Sequence, residues 1–200
     1  GSVTTERQRH PAPGAARIVH IDVDPAVIGT NYETEAALVG DARLCLLALL
    51  DEITRRLDGA PKRSGVRKAV AEAKARKFAA FDKLARSDET PIKPERIVAE
   101  LAALLPADAV IVADPGTPCP YFSAYYQLSK TGRHFISNRA HGALGYSLPG
   151  VVGAHYGRPG AKCVAVMGDG SFGFGAGELE TIVRLNLPVT LIVISNSVYG

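Results

Sequence analysis

Asp169 and Asn196 are the two residues whose types and spacing most plainly suit chemistry. Asp169 follows Lys162 to Met167, an apolar run with β-branched Val164 and Val166 that reads as an interior strand, ended at once by Gly168-Asp169-Gly170-Ser171. Asn196 follows a second β-branched run, Val189 to Ile194, which Pro188 separates from a helix-like segment over Gly177 to Arg184. Strand, glycine turn, helix, strand is a βαβ unit. If its strands are parallel neighbours, both polar side chains, 27 residues apart, reach the same carboxyl edge of the sheet. One carboxylate and one amide oxygen suit a hard cation such as Mg²⁺, which takes few protein ligands and completes its octahedron with water and phosphate oxygens. The turn also offers backbone amides at a helix start, where anions bind, yet a helix terminus contributes only about 0.3–1 kcal/mol toward a nearby anion. A bridging divalent ion supplies the attraction that a multiply charged phosphate ligand still needs.

The same turn admits two other readings. Gly168, Gly170 and Gly173 spell G-x-G-x-x-G between a strand and a helix, the dinucleotide fingerprint, although that fingerprint wants an acidic residue after the next strand and Ser195-Asn196-Ser197 stands there instead. A glycine turn that binds nothing is the third.

The sequence GDG, followed 27 residues after its Asp by the Asn of NSVYG, resembles the cofactor motif of thiamine diphosphate (ThDP) enzymes of the acetolactate synthase, pyruvate oxidase and benzoylformate decarboxylase group. The resemblance implies that Asp169 and Asn196 bind Mg²⁺ through their side chains and Val198 through its carbonyl, while the Gly170 and Ser171 amides hold the diphosphate. It also implies diphosphate contacts from Gly116 and Thr117, although Pro115 and Pro118 depart from the commonest versions of that loop. GALGYSLPG is similar to the family's pyrimidine-binding segment, with Leu144 as the wedge under the cofactor and with the Gly142 carbonyl and Leu144 amide bonding the aminopyrimidine. His141, beside that segment, is a tempting acid-base group, weighed against a helix-capping role.

What the resemblance implies for the whole protein is an enzyme acting on 2-oxo acids with ThDP and Mg²⁺, a carboligase first and a simple decarboxylase second. It implies a homo-oligomer, dimer or tetramer, because family members activate the pyrimidine with a Glu from their first domain, usually on a neighbouring subunit. No residue of this chain is assigned that catalytic role, and the 200 residues alone are expected to show no turnover. FAD sits in the middle domain of flavin-binding relatives; nothing in these residues indicates it. The absence of an initiator Met and the position of Gly200, four residues past Asn196, read as a piece of a longer protein.

Composition narrows the field around this site. Nearly half of the residues are apolar, enough for a sizeable core, and a net charge of +3 gives no reason to expect nucleic acid or membrane partners. No apolar run approaches transmembrane length. Cys45, Cys119 and Cys163 are odd in number and unpatterned, as for reduced thiols in a cytoplasmic protein.

The positioning elements follow from pattern. The fold class expected is α/β with a doubly wound parallel sheet; the resemblance implies that this sheet is an incomplete diphosphate-binding domain, preceded by the C-terminal part of another α/β domain. Residues 1–60 are assigned to that earlier domain, 61–90 to a basic helical linker with its boundary near Ser87 to Pro94, and 91–200 to the diphosphate-binding domain. Arg17 to Asp24 reads as a strand whose terminal acids cap the next turn, a better account of Asp22, Asp24 and His20 than a metal site. Asp41 is a good N-cap for a helix over Ala42 to Leu57, ended by Asp58-Gly59-Ala60-Pro61, whose leucines are expected to face a core. Glu95 to Leu105 reads as an amphipathic helix, Ala109 to Ala113 as a buried strand, Tyr121 to Tyr126 as helix packing, and Arg133 to Ser137 as a further strand.

Overall fold

The computed structural model describes residues 16–57, 65–139 and 141–197. Its packing divides the chain into two units, Gly1–Arg67 and Lys68–Gly200. Each follows from a different use of the same strand and helix patterns.

In the first unit β1 (Val19–Asp22) and β2 (Ala36–Val39) pair in parallel, Val19 opposite Ala36. Two acids make the turn after β1: Asp22 Oδ1 accepts from the Asp24 amide at 2.9 Å, and Asp24 Oδ1 accepts from the Ala26 amide at 2.9 Å, capping a short 3-10 turn over Pro25–Val27. The His20 ring accepts from the Gly29 amide, so these three side chains organise the loop. The 15-residue helix α1 (Ala42–Arg56) starts where Asp41 accepts from the Leu44 amide. Its leucines do not face a core: Leu44, Leu46, Leu47, Leu49 and Leu50 are all exposed, and α1 contains no buried residue. Two strands of four residues are too small a layer to cover a helix of that length. The Asp58 to Pro61 stop lies outside the described residues.

The second unit takes in nearly all of α2 (Val66–Ala85), followed by α3 (Pro94–Leu104), β3 (Val110–Ala113), α4 (Pro118–Tyr125), β4 (Phe135–Ile136), α5 (Ser147–Gly157), β5 (Cys163–Gly168), α6 (Asp169–Gly175), α7 (Glu178–Arg184) and β6 (Thr190–Ile194). The sheet order is β4-β3-β5-β6, every pair parallel. Alternation along the central strands sends Val110, Val112, Cys163, Ala165 and Met167 to one face, against Leu148, Val151 and Ala154 of α5 and Ile182 of α7. Ile111, Val164 and Val166 go to the other, against Phe81 of α2, Val98 of α3 and Phe122 of α4. Helices thus cover both faces, the doubly wound α/β arrangement that the run pattern predicts.

Two details differ from expectation. The basic helix α2 is largely exposed, but it is not a solvated linker throughout: Phe81 is buried and stacks on Tyr125 of α4 at 4.6 Å, and Lys77 Nζ donates to the Ala124 carbonyl at 2.6 Å. These contacts group α2 by packing with the second unit, ahead of the Ser87 to Pro94 segment. Strand β4 is also shorter than Arg133 to Ser137. Among the described residues it pairs only with β3, and His134 just before it is buried with its ring bonded to the Ala109 and Thr131 carbonyls.

Candidate functional site

The site is built at the carboxyl edge of β3, β5 and β6. Because Gly168 pairs with Ile194, the residues that follow them leave the sheet side by side. Asp169 then opens α6 directly, and three donors converge on its carboxylate: the Gly170 amide to Oδ1 at 3.0 Å, and the Ser195 hydroxyl at 3.2 Å and Ser197 amide at 3.0 Å to Oδ2. Loss of solvent pushes this carboxyl up, but the bonds from Gly170, Ser195 and Ser197 outweigh it and hold the group below the ordinary carboxylate range. Asp169 is therefore anionic and fixed in orientation, with Oδ1 accepting only one of these bonds.

A pocket of about 240 Å³ opens here, lined by Gly116, Thr117, Gly142, Leu144, Gly168, Asp169, Gly170, Ser171, Ile194 and Asn196 together with Pro115 and Pro118. Every cofactor position named from the sequence lies on this wall. Val198 alone of the named metal positions lies outside the described residues. Asp169 and Asn196 present a carboxylate and a carboxamide to one space, which is the hard-oxygen pair a Mg²⁺ ion accepts. Among the described residues no three His, Cys, Asp or Glu side chains gather as a metal cage. The donor set thus fits an ion that draws few side-chain ligands from protein and completes its shell largely with water and phosphate oxygens.

The opposite wall is held by contacts that the sequence does not announce. Asp114, the residue after β3, is fully buried; its Oδ1 accepts from the Tyr146 amide at 3.1 Å, and its Oδ2 accepts from the Ser147 amide at 3.1 Å and the Ser147 hydroxyl at 2.5 Å. It caps α5 from across the sheet. The helix lies close on β3, for a Cβ added at Gly150 would meet Val112 Cγ1 at 2.9 Å. Just ahead of it, Gly145 adopts φ +83° and touches α6 backbone to backbone: a Cβ on Gly175 would stand 2.9 Å from the Gly145 carbonyl oxygen. Gly116, at φ +109°, faces Leu144 across the pocket, whose Cδ2 is 3.9 Å from where a Cβ would be. Asn138 ties the intervening loop, its Nδ2 donating to the Ala143 carbonyl at 3.0 Å.

His141 is exposed, and neither lines this pocket nor caps a helix; Asp114 holds the amides at the start of α5 instead. Arg139, unmentioned by the motif, lines an adjoining hollow of about 390 Å³ with Pro115, Gly116, Thr117 and Pro120. The dinucleotide alternative loses its geometric basis at Gly173. The third glycine of that fingerprint serves close helix-strand packing, but a Cβ there would meet nothing within 4 Å.

Comparison with known proteins agrees with this geometry. Residues 114–200 match the family described as "Thiamine pyrophosphate enzyme, C-terminal TPP binding domain", thiamine pyrophosphate (TPP) being another name for ThDP. The chain is 31% identical over 197 residues to the "Probable acetolactate synthase large subunit" of Methanococcus aeolicus, covering 92% of this chain and 32% of the relative. It is 30% identical over 191 residues to the protein of the same description from Methanocaldococcus jannaschii, covering 92% and 31%. Identity to "Acetolactate synthase 1, chloroplastic" of Nicotiana tabacum is 32% over 187 residues, covering 92% and 27%. The chain thus spans about a third or less of the length of these relatives. With strand tips, pocket and family match in agreement, residues 114–200 belong with the C-terminal TPP-binding domains of the thiamine pyrophosphate enzymes, and the chain as a whole is similar to acetolactate synthase large subunits.

Proposed function

We propose that this chain forms the diphosphate-binding part of a ThDP- and Mg²⁺-dependent carboligase acting on 2-oxo acids. One observation carries the reading: the Asp169 carboxylate and the Asn196 amide, on neighbouring strand tips, share a pocket with Gly116, Thr117, Gly142 and Leu144. In this reading Asp169 and Asn196 hold Mg²⁺ by their side-chain oxygens, with the Val198 carbonyl as a third ligand. The Gly170 and Ser171 amides and the Gly116-Thr117 loop hold the diphosphate. Leu144 wedges beneath the cofactor, and the Gly142 carbonyl and Leu144 amide orient the aminopyrimidine. When bound, ThDP would supply a nucleophilic carbon for a keto group and a ring able to act as an electron sink for decarboxylation. The chain's own contribution is to bind and orient: the ordered, anionic Asp169 fixes the metal, and the apolar wedge sets the angle between the cofactor's rings.

The acetolactate synthase relatives support carboligation, and a 2-oxo acid decarboxylase is the competing outcome. A homo-oligomer in a reducing compartment, the cytoplasm, accords with the family and with free Cys45, Cys119 and Cys163. Among the described residues no helix is long and apolar enough to cross a membrane.

Calorimetric titration of the chain with ThDP is expected to show binding that needs Mg²⁺ and that chelator abolishes. Equal affinity with and without the metal would overturn the ligand assignment. With pyruvate as substrate for the native protein, a ligated hydroxy-keto acid is the expected product; free aldehyde alone would transfer the reading to the decarboxylase.

A further inference from the structure

The two walls of the pocket come from segments far apart in sequence, and one buried side chain joins them. Asp114 stands two residues before Gly116, on the diphosphate wall. Its carboxylate accepts three hydrogen bonds from Tyr146 and Ser147, which follow Leu144 and Gly145 on the pyrimidine wall. Its backbone is fixed as well, the Asp114 amide donating to the Val166 carbonyl of β5 at 2.9 Å. The bridge is thus rigid at the strand end and held by three hydrogen bonds at the helix end. No water reaches it, since both Asp114 and Ser147 are fully buried. A buried carboxylate with three donors cannot drift without leaving a donor unpaired in the interior.

We propose that Asp114 is a positioning residue that sets the place of Leu144 and Gly142 relative to the metal-binding strand tips. It touches neither cofactor nor substrate; it acts through the first turn of α5. The inference rests on the ThDP reading for its consequence, but the bridge itself can be read without any ligand. Replacing Asp114 by Asn keeps the shape and removes one acceptor. Whichever way the amide turns, its NH₂ group faces the Tyr146 amide or the Ser147 donors, so at least one donor points at another.

The test uses the chain with Asp114→Asn and, separately, Ser147→Ala, which removes only the hydroxyl donor and leaves β3 untouched. In the ligand-free protein, amide hydrogen exchange at Tyr146 is expected to rise roughly tenfold in D114N, while exchange at Met167 in β5 stays unchanged. Unchanged Tyr146 exchange in both variants overturns the bridge. With Mg²⁺ present, ThDP affinity is expected to fall roughly tenfold in D114N and about threefold in S147A. Inorganic pyrophosphate has no ring to meet Leu144, so its affinity is expected to stay within about twofold. Equal losses for ThDP and pyrophosphate would reduce Asp114 to general scaffolding and overturn the positioning role; so would unchanged ThDP affinity in both variants. If the unaltered chain binds neither compound, the cofactor reading itself fails, and a Tyr146 response in that case separates the two failures. Should D114N not fold, S147A carries both readouts.

Discussion

The strand-end aspartates of the two units do opposite work with the same side chain. In Gly1–Arg67, Asp22, Asp24 and Asp41 accept from amides two or three residues ahead and shape their own turns. In Lys68–Gly200, Asp114 reaches residues 32 and 33 positions away, and Asp169 reaches residues 26 and 28 positions away. A local cap needs one parallel strand and a turn. A distant one needs donors brought beside it by another element, as Tyr146 and Ser147 are for Asp114 and Ser195 and Ser197 are for Asp169. Distance along the chain therefore separates a turn-maker from a side chain able to assemble a pocket.

Substitutions can break that contrast in order of size. Asp114→Ala leaves three donors unpaired, two of them on buried Ser147 and one on part-buried Tyr146, and is expected to destabilise the second unit by about 3 kcal/mol or more, since each orphaned buried donor costs roughly 1–3 kcal/mol; chemical denaturation reads it. Asp169→Asn is expected to weaken ThDP binding in Mg²⁺ by roughly a hundredfold, because even residues that merely orient a metal ligand cost about 10–100-fold when lost. Calorimetry checks it, with circular dichroism expected to stay unchanged. Asp41→Ala removes the cap of α1 and is expected to cost about 1 kcal/mol in thermal or denaturant unfolding of the first unit. Asp22→Ala, an exposed turn bond, is expected to shift that stability by less than about 0.5 kcal/mol. If Asp22→Ala proved as damaging as Asp114→Ala, reach along the chain would not be what distinguishes them.

The sequence made the sheet readable because β-branched runs at Val110, Val164 and Val189 to Ile194 carry their own signal. It also brought Asp169 and Asn196 to one edge, since parallel neighbours with short connections leave little choice of side; the register of Gly168 with Ile194 has that result. That Gly142 and Leu144 line the same pocket was legible only through family resemblance. Asp114 was not recognised at all. A strand ending in Asp and then Pro looks alike at Asp24-Pro25 and Asp114-Pro115, and nothing local tells which carboxylate will meet its own turn and which a helix of later sequence. The exposed leucines of α1 were missed for a related reason: periodicity states that a helix has an apolar face, not how much surface stands ready to cover it. The basic helix over 61–90 reads from its charges as a solvated linker, yet two aromatic rings with Tyr125 to meet seat it.

Where Gly145 meets Gly175, main chain lies close on main chain, with Phe174 Cβ and Leu148 Cδ1 bordering the contact. A spacing set by atoms that every amino acid shares cannot be tuned by exchanging residues elsewhere on either segment, whereas Leu144 beside it projects into open volume and can be exchanged. The cleft thus combines a gauge of constant width with a replaceable insert. An engineer testing the wedge role proposed for Leu144 should vary the insert at 144 and leave the gauge alone.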